Sequence, residues 1–503
     1  MKKYLFILGL LSVVSCQKEE LKSSEEPSVN KNNETTNTEV NKEESKVPDT
    51  TPGIVLTRKD SIFRKLVNGC LRREPECDVS NFNIVRTKPD GADGEYKSLY
   101  DEFVSTYPFL FHVLSDGSVS IFYKLDKPSE VRSYKFDYMI HPNDIGEWAP
   151  RVIEGMREYY ESLQEGMSEE EIAYTLYEQI TKKVIYKETD HPFDALGGLV
   201  LGQAVCQGYA MAYRMLMKCI GMDVECAKGL HYGVKHMWNR IKIDNEWYNC
   251  DVTWDDNKSK NKINSDCLGD FFLTSDNTFY EKLHHPRIST DDVVAPAVSK
   301  KFESENYFFR NAAKQSEAVY RDGYWYYLSW KDKDVCVYKS KFDGTDKSVL
   351  RRLTRSSSDG ILWKRAAFGA ERIYFIDKVN SKDYICSIKY DGSDFKKTRS
   401  VTYYDLLEDL VKLKEDNDKP QRGRVGTIAL RCEVAIAKMK DAYYHSKEDL
   451  FVPENATRVR LLEIIKRAES HLKNNPRDQS MSEKIYNELH ATLAASNMPL
   501  TGK

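Results

Sequence analysis

Cys206, His236 and Asp251 are residue types that together can break an amide bond. A thiolate attacks the carbonyl carbon, an imidazole carries the proton, and a carboxylate orients the imidazole. Cys206 follows a glycine-containing turn, Leu196-Gly197-Gly198, and lies in a stretch from Ala204 to Cys219 that reads as a buried helix. Amide groups at a helix N-terminus carry partial positive charge, which favours a thiolate. His236 and Asp251 lie on two strand-like runs, His236–Ile243 and Trp247–Trp254, separated by Asp244-Asn245-Glu246. A two-residue turn at Asp244-Asn245 sets Ile243 opposite Glu246, and therefore Trp238 opposite Asp251. His236 then points from the same face two residues along, roughly 7–8 Å away at the backbone and within reach of an imidazole–carboxylate bond. A turn one residue longer would put the two on opposite faces.

These three residues need a scaffold, and residues 151–300 have the pattern of one. Ser168 and Glu171 form a capping box, after which Ile172, Leu176, Ile180 and Val184 recur on one helical face. Cys219 reads as a core thiol, and Tyr209 and Trp254 as core aromatics. Trp238 is a candidate lining of the cleft, and Gln203 a candidate side-chain donor. His284-His285 invites a metal reading, but no cysteine or acidic partner stands at ligand spacing. The pair is expected in a surface loop, and neither a metal nor another cofactor is expected.

The chain has 503 residues, too many for one ordinary core. Lys plus Arg number 75 against 78 Asp plus Glu, so no global basic field exists to attract nucleic acid. No Gly-rich phosphate loop is present. The 11 cysteines are an odd count, leaving at least one outside any internal disulfide; Cys70 and Cys77 are close enough in sequence for a local bridge. Residues 1–15 begin with Lys2-Lys3 and an apolar run from Tyr4 to Leu11, far short of the ~20 residues a spanning helix needs. Val13-Val14-Ser15-Cys16 resembles a bacterial lipoprotein lipobox. That resemblance implies lipidation of Cys16 and attachment to a membrane by lipid alone. Gln17-Lys18-Glu19-Glu20 resembles acidic surface-export signals, so the expected place is the cell envelope, at the outer membrane and its outer face. Residues 16–53 are too polar to bury a core and read as a tether.

Residues 54–150 read as a β-rich N-terminal domain of mixed pattern, with strands around Ser118–Leu125 and Arg132–Tyr138. Residues 301–402 hold a repeat. Tyr326-Tyr327-Leu328 matches Tyr374-Phe375-Ile376, and Lys341-Phe342-Asp343-Gly344 matches Lys389-Tyr390-Asp391-Gly392, both 48 residues apart. The spacing resembles β-propeller repeats, and the Asp-Gly pairs predict type I′ hairpin turns rather than calcium loops. Residues 403–503 read as a helical domain, with stripes Val459, Leu462, Ile465, Ala468, Leu472 and Met481, Ile485, Leu489, Leu493 on either side of Pro476.

Gly202-Gln-Ala-Val-Cys206-Gln-Gly-Tyr-Ala210, His236-Met-Trp-Asn239 and Trp247-Tyr-Asn-Cys-Asp251-Val-Thr-Trp254 together resemble the core of bacterial transglutaminase-like proteins. The resemblance covers about residues 165–290. It implies an α+β, papain-like fold with Cys206 as nucleophile, His236 as general base and acid, and Asp251 orienting the imidazole. The Cys206 backbone N–H becomes an oxyanion donor by the same likeness. The superfamily implies a peptide or protein substrate, including glycoproteins, and a thioester acyl-enzyme. Hydrolysis is the expected outcome, with cross-linking to an amine as the alternative. The N-glycanase branch fits less well, since its paired CxxC zinc motifs are absent. A non-catalytic peptide- or glycan-binding module would be favoured by a missing triad member, and none is missing.

Overall fold

Thr57 and Asp60 cap each other's backbone amides and start helix α1, Arg58–Arg72. The computed structural model describes residues 57–498 apart from 90, 93, 114–118, 189, 257–268, 290–294, 311–317, 332–333, 354–365, 401–424, 448, 452, 454 and 497. The expected leader (1–15), the lipidation candidate Cys16 and the expected tether (16–53) lie outside the described residues. Among the described residues no helix is long and apolar enough to cross a membrane.

Strand β1 (Glu76–Asp78), helix α2 (Tyr96–Thr106), and strands β2 (Ser120–Tyr123) and β3 (Val131–Lys135) complete the N-terminal part, with the sheet in the order β1-β3-β2. Helix outweighs strand here, which corrects the β-rich expectation: Ile62, Leu66, Leu99 and Phe103 bury two amphipathic helices that the strand-like runs overshadow in the sequence. Cys70 and Cys77 are both thiols, not a disulfide, and the Cys77 sulfur faces the Lys65 carbonyl at 3.5 Å.

The site-bearing part comes next. Helix α3 is Ile145–Tyr160, and α4 is Glu169–Lys183, opened by the Ser168–Glu171 capping box. Strand β4 (Ile185–Tyr186) pairs in parallel with β5 (Gln203–Ala204), and α5 (Cys206–Cys219) starts directly after. Strands β6 (Asp223–His231), β7 (Val234–Ile243) and β8 (Glu246–Cys250) form an antiparallel sheet against which α5 packs; Asn239 on β7 donates to the Ala210 carbonyl of α5 at 3.0 Å. A one-turn helix α6, Val252–Asp255, lies directly after β8. Buried tyrosines knit these helices together. Tyr159 donates to Gly198 O at 2.9 Å, Tyr213 to Ala173 O at 2.8 Å, and Tyr177 to the Asp255 carboxylate at 2.7 Å.

The repeat becomes two antiparallel four-stranded sheets. The first runs β9 (Val319–Arg321), β10 (Tyr324–Lys331), β11 (Asp334–Ser340) and β12 (Ser348–Arg352). The second runs β13 (Ala366–Phe368), β14 (Arg372–Val379), β15 (Lys382–Lys389) and β16 (Lys396–Ser400). Neither sheet closes. The Asp-Gly pairs are not type I′ turns. The Asp343 and Asp391 carboxylates accept the amides of Thr345 and Ser393 at 2.9 and 2.8 Å, and within each Asp-Gly pair the glycine alone has left-handed backbone, whereas a type I′ turn needs it at both residues. Glu171 ties this module to α4, accepting the Trp325 indole N–H at 2.8 Å.

Helices α7 (Thr427–Tyr444), α8 (Ala456–Asn474) and α9 (Gln479–Ala495) close the chain. The buried face of α8 follows the expected stripe only in part. Ile465 and Ala468 are buried as expected, Leu462 and Leu472 are half-buried and Val459 is exposed, while Arg458, Leu461, Ile464 and His471 join the buried face, Arg458 pairing with the buried Asp441 of α7 at 2.9 Å. On α9, Ile485, Leu489 and Leu493 are buried as expected while Met481 is 41% exposed. One hydrophobic cluster joins Ile62, Tyr209, Ile241, Tyr327 and Met439, so the successive segments share a core.

Gly155 on α3 lies against the π-helical turn Gly197–Leu201 that leads to Cys206, and a Cβ there would collide with the Leu199 carbonyl oxygen. Gly155→Ala should destabilise the fold by about 1–3 kcal/mol, read as a lower chemical-unfolding midpoint. Gly146→Ala, on the same helix but facing only the flexible end of Arg73, is the control and should leave the midpoint nearly unchanged. Equal effects would contradict this packing.

Candidate active site

Asp244 and Asn245 both adopt left-handed backbone, with φ of 50° and 65°, the signature of a type I′ turn. Ile243 accordingly pairs with Glu246, and the ladder runs to Asn239 opposite Cys250. The two-residue register is the one that places His236 and Asp251 together. Strand β8 stops at Cys250, short of the expected Trp254, because the Asp251 side chain caps the next turn of the chain. Its Oδ1 accepts the amides of Thr253 and Trp254 at 2.9 and 3.1 Å, winding Val252–Asp255 into α6.

The other oxygen of the same carboxylate holds the site. Asp251 Oδ2 lies 2.6 Å from His236 Nε2. With Nε2 committed, Nδ1 is the nitrogen left to exchange a proton with a nucleophile. Cys206 opens α5 after Val205, which offers no side-chain cap to the first-turn amides, and its thiol is half-buried. The thiol stands close enough to His236 to act on its charge. Burial by itself would lower the His236 pKa, but Asp251 and then Cys206 outweigh burial and raise it to about 10. Burial would likewise raise Asp251, yet the two imidazoles around it hold it well below the usual carboxylate range. The carboxylate is 0% exposed and ionised.

The second of those imidazoles is His285, which the sequence pattern puts in a surface loop. The structure corrects this: its side chain is fully buried, and its Nε2 lies 2.7 Å from Asp251 Oδ2. Its acidic partner is 34 residues away in sequence, so no local ligand spacing reveals it. His236, Asp251 and His285 are residue types that could hold a metal ion. Their 2.6 and 2.7 Å separations are hydrogen-bond lengths, however. Two ligands of one tetrahedral zinc stand about 3.3 Å apart.

Trp238 is 1% exposed and stacks on His236 with ring centroids 6.0 Å apart, so it supports the imidazole from within the core rather than facing the cleft. Trp254, expected in the core, is half-buried and lies 5.5 Å from the His236 ring. Tyr209 is fully buried, as expected, and its hydroxyl reaches Asp256 at 2.6 Å. Gln203 is half-buried on β5, three residues before Cys206. Tyr186, which the sequence does not single out, is 58% exposed and stands beside Cys206 and Asp251.

A His236 pKa raised in the fold from about 6.5 to about 10 stabilises the protein while the imidazole is charged. That contribution is complete below about pH 6.5 and is lost as pH rises towards 10. The unfolding midpoint of the wild type should therefore fall more steeply between pH 7 and about 10 than that of His236→Gln. Identical slopes would show that the imidazole is not held charged.

In a search of curated proteins, no sequence matches the chain. Residues 157–252 match the family model of the transglutaminase-like superfamily, a stretch that carries Cys206, His236 and Asp251. The chain therefore contains a transglutaminase-like domain.

Proposed function

We propose that the protein is a cysteine amidase of the peptidase type, hydrolysing peptide bonds or related side-chain amides through a thioester on Cys206. The observation that carries this reading is the Asp251–His236 bond at 2.6 Å, which leaves Nδ1 for the neighbouring thiol. His236 holds the Cys206 proton as an imidazolium in the resting pair, and the thiolate attacks the amide carbon. The oxyanion that forms meets the Cys206 backbone N–H at the uncapped start of α5. Collapse breaks the C–N bond, and His236 returns the proton to the departing amine. Water, deprotonated by His236, then attacks the thioester, releasing a carboxylate and regenerating the thiol.

The lipobox-like Val13–Cys16 supports placing this site on a lipid-anchored envelope protein, with the substrate a peptide or protein met at the outer membrane or cell surface. The propeller-like repeat and the C-terminal helices serve in this reading as docking modules.

The test is to incubate wild type and Cys206→Ala with peptide and glycopeptide libraries, with and without a dansylated primary amine. New carboxyl termini or deamidated products should appear with wild type and vanish with Cys206→Ala, while Asp251→Asn should lower the rate on the order of 10³–10⁴-fold. Amine incorporation in place of hydrolysis would make the protein a cross-linking enzyme. Indistinguishable wild type and Cys206→Ala would leave a binding module.

A further inference from the structure

His285 lies outside the stretch that matches the superfamily model, yet it touches the carboxylate on which the site turns. A short strap delivers it. Ile288 bridges Gly229 on β6, and the Ser289 amide donates to Lys228 O at 2.9 Å. The strap can lie this close only because residue 229 is glycine; a Cβ there would strike the Arg287 carbonyl oxygen. The His285 ring packs against Phe279, Trp238 and Trp254 with centroids 3.9, 4.6 and 4.6 Å away, and its Nδ1 lies 3.0 Å from Pro286 O.

An aromatic cage of this kind would accept a leucine or phenylalanine at lower desolvation cost than an imidazole. The imidazole has a polar task instead. Asp251 has about four acceptor positions. Two amides fill Oδ1, and His236 takes one on Oδ2; His285 takes the fourth. We propose that His285 is a positioning residue: in the tautomer that carries its proton on Nε2, the N–H locks the Asp251 carboxylate against rotation and so keeps His236 Nδ1 turned towards Cys206. The proposal rests on the acyl-transfer reading of the same site. Among the described residues, the titratable groups facing His236 are Cys206, Asp251 and His285, and those facing Asp251 also include Tyr186 and Cys250. Without His285, Asp251 loses a donor to its ionised form and protonates at higher pH.

The test compares full-length wild type, His285→Leu and His285→Gln, all checked for folding by their unfolding midpoints. Iodoacetamide labelling of Cys206 is followed across pH by mass spectrometry of its peptide. His285→Leu should slow labelling about tenfold or more, with the acid limb of the profile moved to higher pH. His285→Gln, which keeps an N–H within reach of Asp251, should recover most of the rate. A folded His285→Leu with the wild-type rate and profile overturns the proposal, as does equal slowing in both variants, which would mean packing alone. Should His285→Leu not fold, His285→Gln and His285→Asn are compared instead: the asparagine side chain is too short to bring its N–H to Asp251, so a profile equal to that of His285→Gln overturns the proposal. If wild-type Cys206 itself labels no faster than a thiol of the denatured chain, the acyl-transfer reading fails. A nitrogen-15 titration of His236 then decides separately: a midpoint shifted by His285→Leu supports the positioning role, and an unchanged one overturns it.

Discussion

A carboxylate removed from water must be surrounded by donors, and Asp251 meets that demand with four of them. The cost of burying this charge fixes much of the local architecture. It ends strand β8 at Cys250 and starts α6. It draws in the strap that carries His285, and it holds one edge of His236. The four donors come from three pieces of chain, so the site forms only when the sheet, the one-turn helix and the strap are all in place.

The catalytic geometry depends on this constraint through one hairpin and one helix start. The Asp244-Asn245 turn sets the register that brings β7 and β8 together, and a slip of one residue would send His236 to the opposite face. On the other side, Gly155 lets α3 press against the turn before β5, so that the β4–β5 pair ends where Cys206 begins α5. The thiol thus sits on a rigid helix, the imidazole on a strand, and the carboxylate at a strand end. Such placement on regular elements gives more precise geometry than loops would.

The range of each interaction decides whether the sequence reveals it. The Ser168–Glu171 cap, the Asp244-Asn245 turn and the 48-residue repeat are encoded within a few residues or by direct copying, and the structure has all three. The facing of His236 and Asp251 is legible because a tight turn converts spacing into register. His285 is not legible. Its cage draws on Trp238, Trp254 and Phe279, and its bond to Asp251 spans 34 residues. The face of α8 is legible only in part: Ile465 and Ala468 are buried as their spacing predicts, but the buried Arg458–Asp441 pair joins two helices and leaves no mark on the spacing within either. Trp238 reads as cleft lining because an aromatic next to a catalytic strand position has two faces to choose from, and only packing against Phe279 and His285 decides which.

The central claim is that a buried, ionised Asp251 makes Cys206 a nucleophile by way of His236. The most direct measurement is the rate at which iodoacetamide labels Cys206 between pH 6 and 8 in wild type and in Asp251→Asn, which keeps the size of the side chain and removes its charge. The wild type should react far faster than thiols of the denatured chain, and Asp251→Asn should fall back to their rate. Equal rates in the folded wild type and Asp251→Asn would contradict the claim.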